Sequence, residues 1–270
     1  MAFGLTRDEP KLSYGSYLHV DELTGLQKLL SDPPRHDEML FIVIHQVFEL
    51  WFKQLLHELD AIVTSLRAEE PLRAQRLVRR CIEIERVLIQ QITVLETMTP
   101  NEFLTFRDHL MPASGFQSAQ FRHLEAVCGV GNRTHLESFE AGSAGRAELE
   151  RRMNQPSVGD AFFELLRKRG FNTPAGADDA SRAQRVQELV RIYQSPDDDY
   201  DLYLLCEALV EFDELFTLWR LHHMQMVERM IGSKHGTGGS AGVAYLRGTL
   251  DRKFFPELWE LRTYLSDREY

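Results

Sequence analysis

One segment decides the fold of this 270-residue chain: His36-Asp-Glu-Met-Leu-Phe-Ile-Val-Ile-His-Gln-Val-Phe-Glu-Leu-Trp-Phe52. Pro33-Pro34 precede it, and helical periodicity continues to about residue 68. Over residues 39–52 apolar side chains occur almost all round the helix, which is typical of a helix in the middle of a bundle. We therefore expect residues 36–68 to form a long central helix.

The same periodicity runs along most of the chain. It predicts a second long helix over about 71–98 and the longest helix over 200–231. Strand-like alternation is almost missing, and the sequence has no internal repeat. We therefore expect an all-α fold, with residues 1–270 forming a single domain of long antiparallel helices. Shorter helices are predicted at about 116–128, 158–168 and 183–193, with two more pieces near the C-terminus, separated by Pro256.

Two connecting segments have their own signatures. Thr99-Pro-Asn-Glu102 is a capping box with proline at the first helical position, so a short helix should begin there and end near Leu110. Residues 131–156 are polar and rich in glycine and alanine, and we expect them to form a variable surface excursion.

Composition excludes several classes of protein. The net charge of −10 argues against nucleic-acid binding, which requires a basic surface. Three scattered cysteines without CxxC spacing indicate buried thiols in a reducing compartment. The N-terminus has no apolar export signal and no run of 18 apolar residues occurs, so we expect a cytoplasmic protein without a membrane span.

A glycine-rich segment, Gly232-Ser-Lys-His-Gly-Thr-Gly-Gly-Ser-Ala-Gly242, follows the longest helix. Glycine costs roughly 1 kcal/mol relative to alanine inside a helix, so the helix must end here. Such a loop allows the backbone to approach a small ligand closely, with hydroxyls from Thr237 and Ser240. The alternative is an ordinary surface linker.

Histidines give the strongest chemical hypothesis. No histidine has Asp or Glu three residues before it, and His57-Glu58 is not followed by a second histidine at HExxH spacing, so di-iron and zincin sites are excluded. His45 and His223 each share a helix face with aromatic and aliphatic residues. Either they are core histidines bonded to carbonyls, or they face a haem, which needs one axial imidazole and a large apolar slot.

Phe103 and Arg107 are spaced i, i+4 on the predicted short helix, which would place them on one side of it. An arginine among apolar residues either forms a structural ion pair or binds a substrate carboxylate through two parallel hydrogen bonds.

Seven segments of the chain carry a further signal when they are taken together. They are His36-Asp-Glu-Met-Leu-Phe-Ile-Val-Ile-His-Gln46, Glu49-Leu-Trp-Phe-Lys53, Phe106-Arg-Asp108, Pro112-Ala-Ser-Gly-Phe-Gln-Ser118, Trp219-Arg220, His223-Met224 and Gly236-Thr-Gly-Gly239. In this order they closely resemble the tryptophan 2,3-dioxygenase family, and the resemblance covers the chain from about residue 14 to residue 263 except for 131–156.

The resemblance implies an all-helical homotetramer enclosing a haem b pocket. It further implies an oxidoreductase that opens the pyrrole ring of L-tryptophan with O2 to give N-formylkynurenine, the first step of the kynurenine route. Carried over by motif, His223 is the axial iron ligand and His45 the distal catalytic histidine. The other roles carried over are Phe41 and Phe103 packing on the indole, Arg107 binding the carboxylate, Thr237 binding the ammonium group, and Ser114 and Gly115 lining the distal pocket. Tyr14 and Tyr17, in the N-terminal segment 1–18 that docks on a neighbouring subunit, would reach that subunit's active site and contribute to substrate binding.

Two positions depart from the family pattern. His222 stands where the family commonly has arginine, which leaves two adjacent candidates for the axial ligand. Because successive residues on a helix lie about 100° apart, only one can face the iron, and His223 lies on the Trp219/Val227 stripe. Ala241 replaces a serine in the glycine-rich loop, and we expect little effect from it.

Three other functions stay open from the sequence. A haem-dependent monooxygenase acting on tryptophan or a substituted tryptophan would share the same motifs. A non-catalytic haem or indole sensor is a second alternative, although it would not need Arg107. The third is a purely structural helical bundle, which would be colourless when purified.

Overall fold

The computed structural model describes residues 12–238 and 241–265. Within these ranges the chain forms helices and connecting turns without a β-strand, which confirms the all-α prediction. The α-helices are α1 Tyr14–Leu18, α2 Val20–Thr24, α3 His36–Arg67, α4 Pro71–Leu95, α5 Pro100–Leu104, α6 Ala119–Val127, α7 Ala144–Met153, α8 Val158–Lys168, α9 Asp179–Gln194, α10 Tyr200–Ile231, α11 Val243–Arg247 and α12 Pro256–Glu260; 3-10 helices span Arg107–Leu110, Gly115–Gln117, Arg133–Ser138 and Leu261–Tyr264.

Three long helices form the centre of the bundle. Helix α4 packs against both α3 and α10, while α3 also packs against α6 and α8. The short connection 68–70 joins α3 to α4, so the two run as an antiparallel hairpin. Leucine, isoleucine and phenylalanine side chains from these helices make up one large buried core. The division into a single domain over residues 1–270 stays a prediction.

The predicted helix over 99–110 is wrong in its second half. The Thr99 capping box is present, but the α-helix ends at Leu104 and a separate 3-10 helix begins at Arg107. The break lets Phe106 turn fully into the core, with its N–H donating to the Phe103 carbonyl three residues back. Phe103 and Arg107 are therefore not an i, i+4 pair on one helix.

Residues 131–156 contain two helices that were not predicted from the sequence. A 3-10 helix at Arg133–Ser138 is followed by α7, which Ser143 caps by accepting a hydrogen bond from the Arg146 N–H. Leu136 and Leu149 pack with Ala126 of α6 in a small separate cluster. A few buried apolar side chains are thus enough to dock this otherwise polar helix. That residues 131–156 form a variable surface excursion stays a prediction.

The remaining boundaries differ by a few residues. Helix α4 ends at Leu95 rather than near 98, and α9 begins at Asp179 because Asp178 caps it. Cys81, Cys128 and Cys206 are buried free thiols, as predicted.

Among the described residues, α3 is the helix whose length and mean hydropathy of 1.4 would also fit a membrane span. It contacts α4, α6 and α8 and contains the buried carboxylates Glu38 and Glu58, which is typical of a core helix. Only 28% of its most apolar window is buried within this chain, however, so α3 presents an apolar outer face. The cytoplasmic location expected from the sequence stays a prediction.

Glu85 on α4 is a costly feature of the core. It is fully buried, and neither carboxyl oxygen has a hydrogen-bond partner among the described residues. Burial raises the pKa of Glu85 to about 8, and the charge of Arg220 opposes the shift. An unfolded glutamate ionises near pH ~4.3, whereas the folded chain holds this proton up to about pH 8. The contribution of the Glu85 side chain to the free energy of unfolding is therefore fully present below about pH 4 and is lost as the pH rises towards 8.

Replacing Glu85 with glutamine should consequently stabilise the protein at alkaline pH. We expect Glu85→Gln to raise the free energy of unfolding by about 2–4 kcal/mol at pH 8 and by less than about 1 kcal/mol at pH 5. Urea unfolding at both pH values measures this. Glu83→Gln, an exposed position on the same helix, is the control and should show no such pH dependence. A gain that is the same at pH 5 and pH 8 would contradict ionisation as its cause.

Candidate functional site

A cavity of about 290 Å³ lies between α3 and α10 and is bordered by the turn around residue 114 and by Gly236, Thr237 and Gly242 of the glycine-rich loop. Most of its lining is aromatic or aliphatic, with a few polar groups at the edges. A large apolar cavity with a small number of convergent polar groups is the usual form of a small-molecule or cofactor site.

His45 enters the cavity from α3. Its Nδ1 lies 2.7 Å from the Phe41 carbonyl oxygen. Because a carbonyl only accepts hydrogen bonds, Nδ1 must carry the proton, which leaves the Nε2 lone pair as an acceptor. Burial lowers the pKa of His45, against smaller opposing effects of the Phe41 hydrogen bond and the Glu49 charge. His45 is thus a neutral imidazole whose free nitrogen can accept a hydrogen bond from a ligand.

His223 enters the cavity from α10. Its ring is stacked on Trp219, with centroids 5.3 Å apart and planes 3° from parallel. Burial, with a smaller effect of His45, lowers the pKa of His223 to about 4. Neither ring nitrogen is hydrogen-bonded to the described part of the chain, and the buried Trp219 Nε1 also lacks a partner there. His223 therefore offers an uncharged, uncommitted nitrogen, while the adjacent His222 is exposed to solvent.

A continuous set of ring contacts links the two histidines. His45 lies 6.5 Å from Phe48, Phe48 lies 6.2 Å from Trp219, and Trp219 stacks on His223. The two imidazoles thus belong to one aromatic-walled cavity, with His45 and His223 on different walls of it.

Phe41 and Phe103 form an aromatic slot that lines the cavity beside His45, and the fully buried Phe106 packs against both of them. Phe41 stacks on Phe103 at 5.7 Å, and Phe106 meets both rings edge-on, at 5.7 and 5.4 Å. The Phe41 ring lies only 4.0 Å from the His45 ring. A flat aromatic ligand can therefore pack on phenylalanine while one edge reaches the histidine.

Arg107 lines the same cavity as this slot, despite the helix break described above. Its Nη2 donates to the His235 carbonyl at 2.7 Å, which uses one of the five guanidinium N–H donors. Thr237 donates its hydroxyl proton to the Ala113 carbonyl, so its oxygen remains an acceptor. Both residues line the cavity. Arg107 offers it a cationic hydrogen-bond donor, and the Thr237 hydroxyl oxygen offers it a neutral acceptor.

The distal turn, residues 114–118, lines the cavity next to the glycine-rich loop. The Ser114 side chain accepts a hydrogen bond from the Phe116 N–H at 3.3 Å and so caps the 3-10 helix that begins at Gly115. A Cβ atom on Gly238 would lie 2.6 Å from the Ser114 Cβ, so the loop can sit this closely only with glycine there. This close approach is to another part of the same chain, so the predicted approach of the loop backbone to a small ligand stays a prediction. Gly239 and Ser240 lie outside the described residues.

Tyr14 and Tyr17 are not at the cavity of their own chain. Both lie on α1 and are 79% and 68% exposed. Their predicted contribution to the site can arise only from contact with another chain. Residues 1–11 lie outside the described residues.

Several polar residues of the cavity were missed from the sequence. Glu49 lines it one turn after His45, and Arg122 and Glu125 form a buried ion pair at 2.6 Å. Arg220 packs over the Phe216 ring at 4.8 Å. The sequence did contain a signal for Glu49 and Arg220, because each is a charged residue within an otherwise apolar stretch of a helix.

Comparison with known proteins identifies the family. The sequence profile of the tryptophan 2,3-dioxygenase family matches residues 4–183 and 178–265. The chain belongs to this family. It is 49% identical over 260 residues to the tryptophan 2,3-dioxygenase of a Nocardioides species, covering 94% of this chain and 95% of the relative. The corresponding enzymes of Herpetosiphon aurantiacus and Myxococcus xanthus are 45% and 43% identical, over 98% and 90% of their lengths.

The residues present fit the haem on which this family depends. A haem needs a neutral imidazole and a large apolar slot. His223 is neutral, is not hydrogen-bonded within the described chain and faces an apolar cavity. His222 does not compete for this place because it points to solvent.

Proposed function

We propose that this chain is a haem-dependent dioxygenase that opens the pyrrole ring of L-tryptophan with O2 to give N-formylkynurenine. One observation carries the proposal: two neutral histidines, an aromatic slot and an arginine converge on one apolar cavity. Haem binding alone would not require Arg107 or the acceptor nitrogen of His45. Together they match an aromatic amino acid, with an N–H on its ring and a carboxylate at the other end.

Haem b is the proposed cofactor, and His223 is the residue that would hold its iron. The Trp219 ring, parallel to the imidazole, restricts how His223 can rotate. When bound, the haem supplies the oxygen chemistry, and the protein supplies orientation and a water-poor site. Because the C2–C3 bond of indole is itself electron-rich, the protein does not need a strong base.

The distal side orients the indole. His45 Nε2 accepts a hydrogen bond from the indole N–H, since Nδ1 is already committed to the Phe41 carbonyl. Phe41 and Phe103 pack on the faces and edges of the ring system. Holding the reacting atoms in one orientation removes much of the entropic part of the barrier.

The amino acid end of the substrate binds at the mouth of the cavity. Arg107 pairs with the carboxylate. Its Nη2 group, which donates to the His235 carbonyl without substrate, then either gives up that hydrogen bond or donates to both oxygens. The Thr237 oxygen accepts a hydrogen bond from the ammonium group. Ser114 and Gly115 line the remaining distal wall and keep water from the indole.

The active form is proposed to be a homotetramer. The proposal of an oligomer is supported by three apolar side chains that are exposed on the outer face of α3, Met39, Val43 and Leu50. The N-terminal arm, residues 12–30, is likewise rich in exposed leucine and tyrosine. Exposed apolar patches of this kind mark surfaces that contact another protein. The arm would place Tyr14 and Tyr17 at the cavity of a neighbouring copy.

Deleting residues 1–18 should therefore reduce activity while haem binding survives. We expect a loss of kcat/KM of about tenfold or more, equivalent to about 1.4 kcal/mol of transition-state stabilisation. The test is made sharper by mixing chains. Hybrid oligomers of the truncated chain with an Arg107→Leu chain should regain activity. The truncated chain keeps an intact cavity, and the Arg107→Leu chain supplies the N-terminal arm that docks on it. An unchanged KM in the truncated protein, or hybrids no more active than either parent, would refute docking of the arm.

Aerobic and anaerobic incubation of the haem-loaded protein with L-tryptophan tests the proposed function itself. We expect N-formylkynurenine to accumulate with O2 and to be missing without it. A red protein that binds tryptophan but yields no product would instead support a sensor. A hydroxylated tryptophan would support a monooxygenase.

A further inference from the structure

Glu49 lies one helical turn after His45 on α3, and its half-buried side chain lines the cavity. The carboxylate accepts hydrogen bonds from the Ser118 hydroxyl at 2.6 Å and from Gln120 Nε2 at 2.9 Å. The same Gln120 nitrogen also donates to the Glu49 backbone carbonyl at 2.8 Å. Three hydrogen bonds thus tie the His45 helix to the last residue of the distal turn, Ser118, and to Gln120 in the first turn of α6.

The distal turn, which Glu49 holds through Ser118, lines part of the cavity with Ser114, Gly115 and Phe116. Ser118 closes the turn and caps α6, because its oxygen accepts the Phe121 N–H at 3.2 Å. At the other end of the turn, Ser114 packs against Gly238 of the glycine-rich loop. Any displacement of Ser118 away from α3 would therefore move the turn, and with it the loop that rests on Ser114.

We propose that Glu49 is a positioning residue for the reaction: its carboxylate fixes the distal turn, including Ser114 and Gly115, at a set distance from His45. The inference rests on the proposed dioxygenase function. Hydrogen bonds to an ionised acceptor are short and about twice as strong as neutral ones, which suits this role. A misplacement of about 1 Å in an active site can cost on the order of 10²-fold in rate.

Steady-state kinetics of three variants tests the positioning role. Glu49→Gln should lower kcat about 10- to 100-fold. KM for L-tryptophan should rise by a smaller factor, because Thr237 lies on the loop that moves with the turn, whereas Arg107 comes from a different element. Ser118→Ala should give the same pattern, although it leaves the Glu49 charge in place. Ser118→Thr keeps the hydroxyl and should restore most of kcat.

Glu58→Gln is the matched control. Glu58 is a buried carboxylate on the same helix, bonded to Gln54 and Arg80 at 2.7 and 2.9 Å, and it does not line the cavity. This variant should lose stability but keep the kcat of wild type. It separates a general weakening of α3 from the specific loss of the tie to the distal turn.

Amide hydrogen exchange gives a measurement that does not depend on turnover. Residues 114–121 should exchange faster in Glu49→Gln and in Ser118→Ala, with α4 unchanged. If the wild type converts tryptophan and the kcat of Glu49→Gln lies within threefold of the wild-type value, the positioning role is overturned whatever the exchange rates, and the proposed function stands. Unchanged exchange in both variants would also overturn it. A wild type that does not convert tryptophan would overturn the proposed function and this role with it.

Discussion

Replacing His223 with alanine should abolish stable haem retention, whereas replacing His222 should leave most of it. His223 presents an uncharged nitrogen to an apolar cavity, while His222 points to solvent on the same helix. Losing a partner in the outer shell of a metal site already costs about 10- to 100-fold in affinity, so loss of the axial ligand itself should cost more. Haem absorbance per chain after gel filtration measures the effect.

The His222→Ala variant serves as the matched control, since it removes the neighbouring imidazole without touching the cavity. Circular dichroism should show that both variants keep their helices. His223→Gly gives a further check, because added imidazole should enter the space left and restore haem binding. Loss of haem in His222→Ala with retention in His223→Ala would reverse the proposed assignment.

Arg107→Leu should nearly eliminate turnover of L-tryptophan while the haem spectrum stays as in wild type. Removing one partner of a charge pair in a largely dry site costs about 2–5 kcal/mol, because the other charge is left without compensation. That corresponds to roughly 30- to several-thousand-fold in kcat/KM. The loss should be largest for substrates carrying a carboxylate.

Two further variants separate the carboxylate role from a structural one. Arg107→Lys should recover only part of the activity, since lysine offers a point charge in place of a planar pair of donors. Arg229→Leu removes an exposed arginine that is outside the cavity lining and should leave kinetics unchanged. If Arg107→Leu stayed within about threefold of wild type, its bond to the His235 carbonyl would be its main contribution, and another group would bind the carboxylate.

The parts of the fold that the sequence predicted best depend on local patterns. Helices α3 and α10 follow from long apolar periodicity, and the start of α5 follows from its capping box. The preference for His223 over His222 came from the apolar stripe of one helix, and the structure places His223 on the cavity. Each of these features is determined by residues within a few turns of one another.

Non-local contacts determine the parts that were missed. The break after Leu104 occurs because Phe106 must enter a core built by other elements. Helix α7 has a single fully buried anchor, Leu149, whose partners lie in two separate segments. Glu49 finds its partner Ser118 at a distance of 69 residues along the chain, which no periodicity could indicate.

The central claim is that this cavity inserts both atoms of O2 into L-tryptophan, and isotope labelling tests it most directly. The haem-loaded protein would be supplied with L-tryptophan and ¹⁸O2, and the product mass measured before exchange with water. We predict N-formylkynurenine carrying two labelled oxygen atoms, with the same product missing from Arg107→Leu. A product with one labelled atom would contradict the account in favour of a monooxygenase, and a protein that binds haem and tryptophan without incorporating label would contradict catalysis altogether.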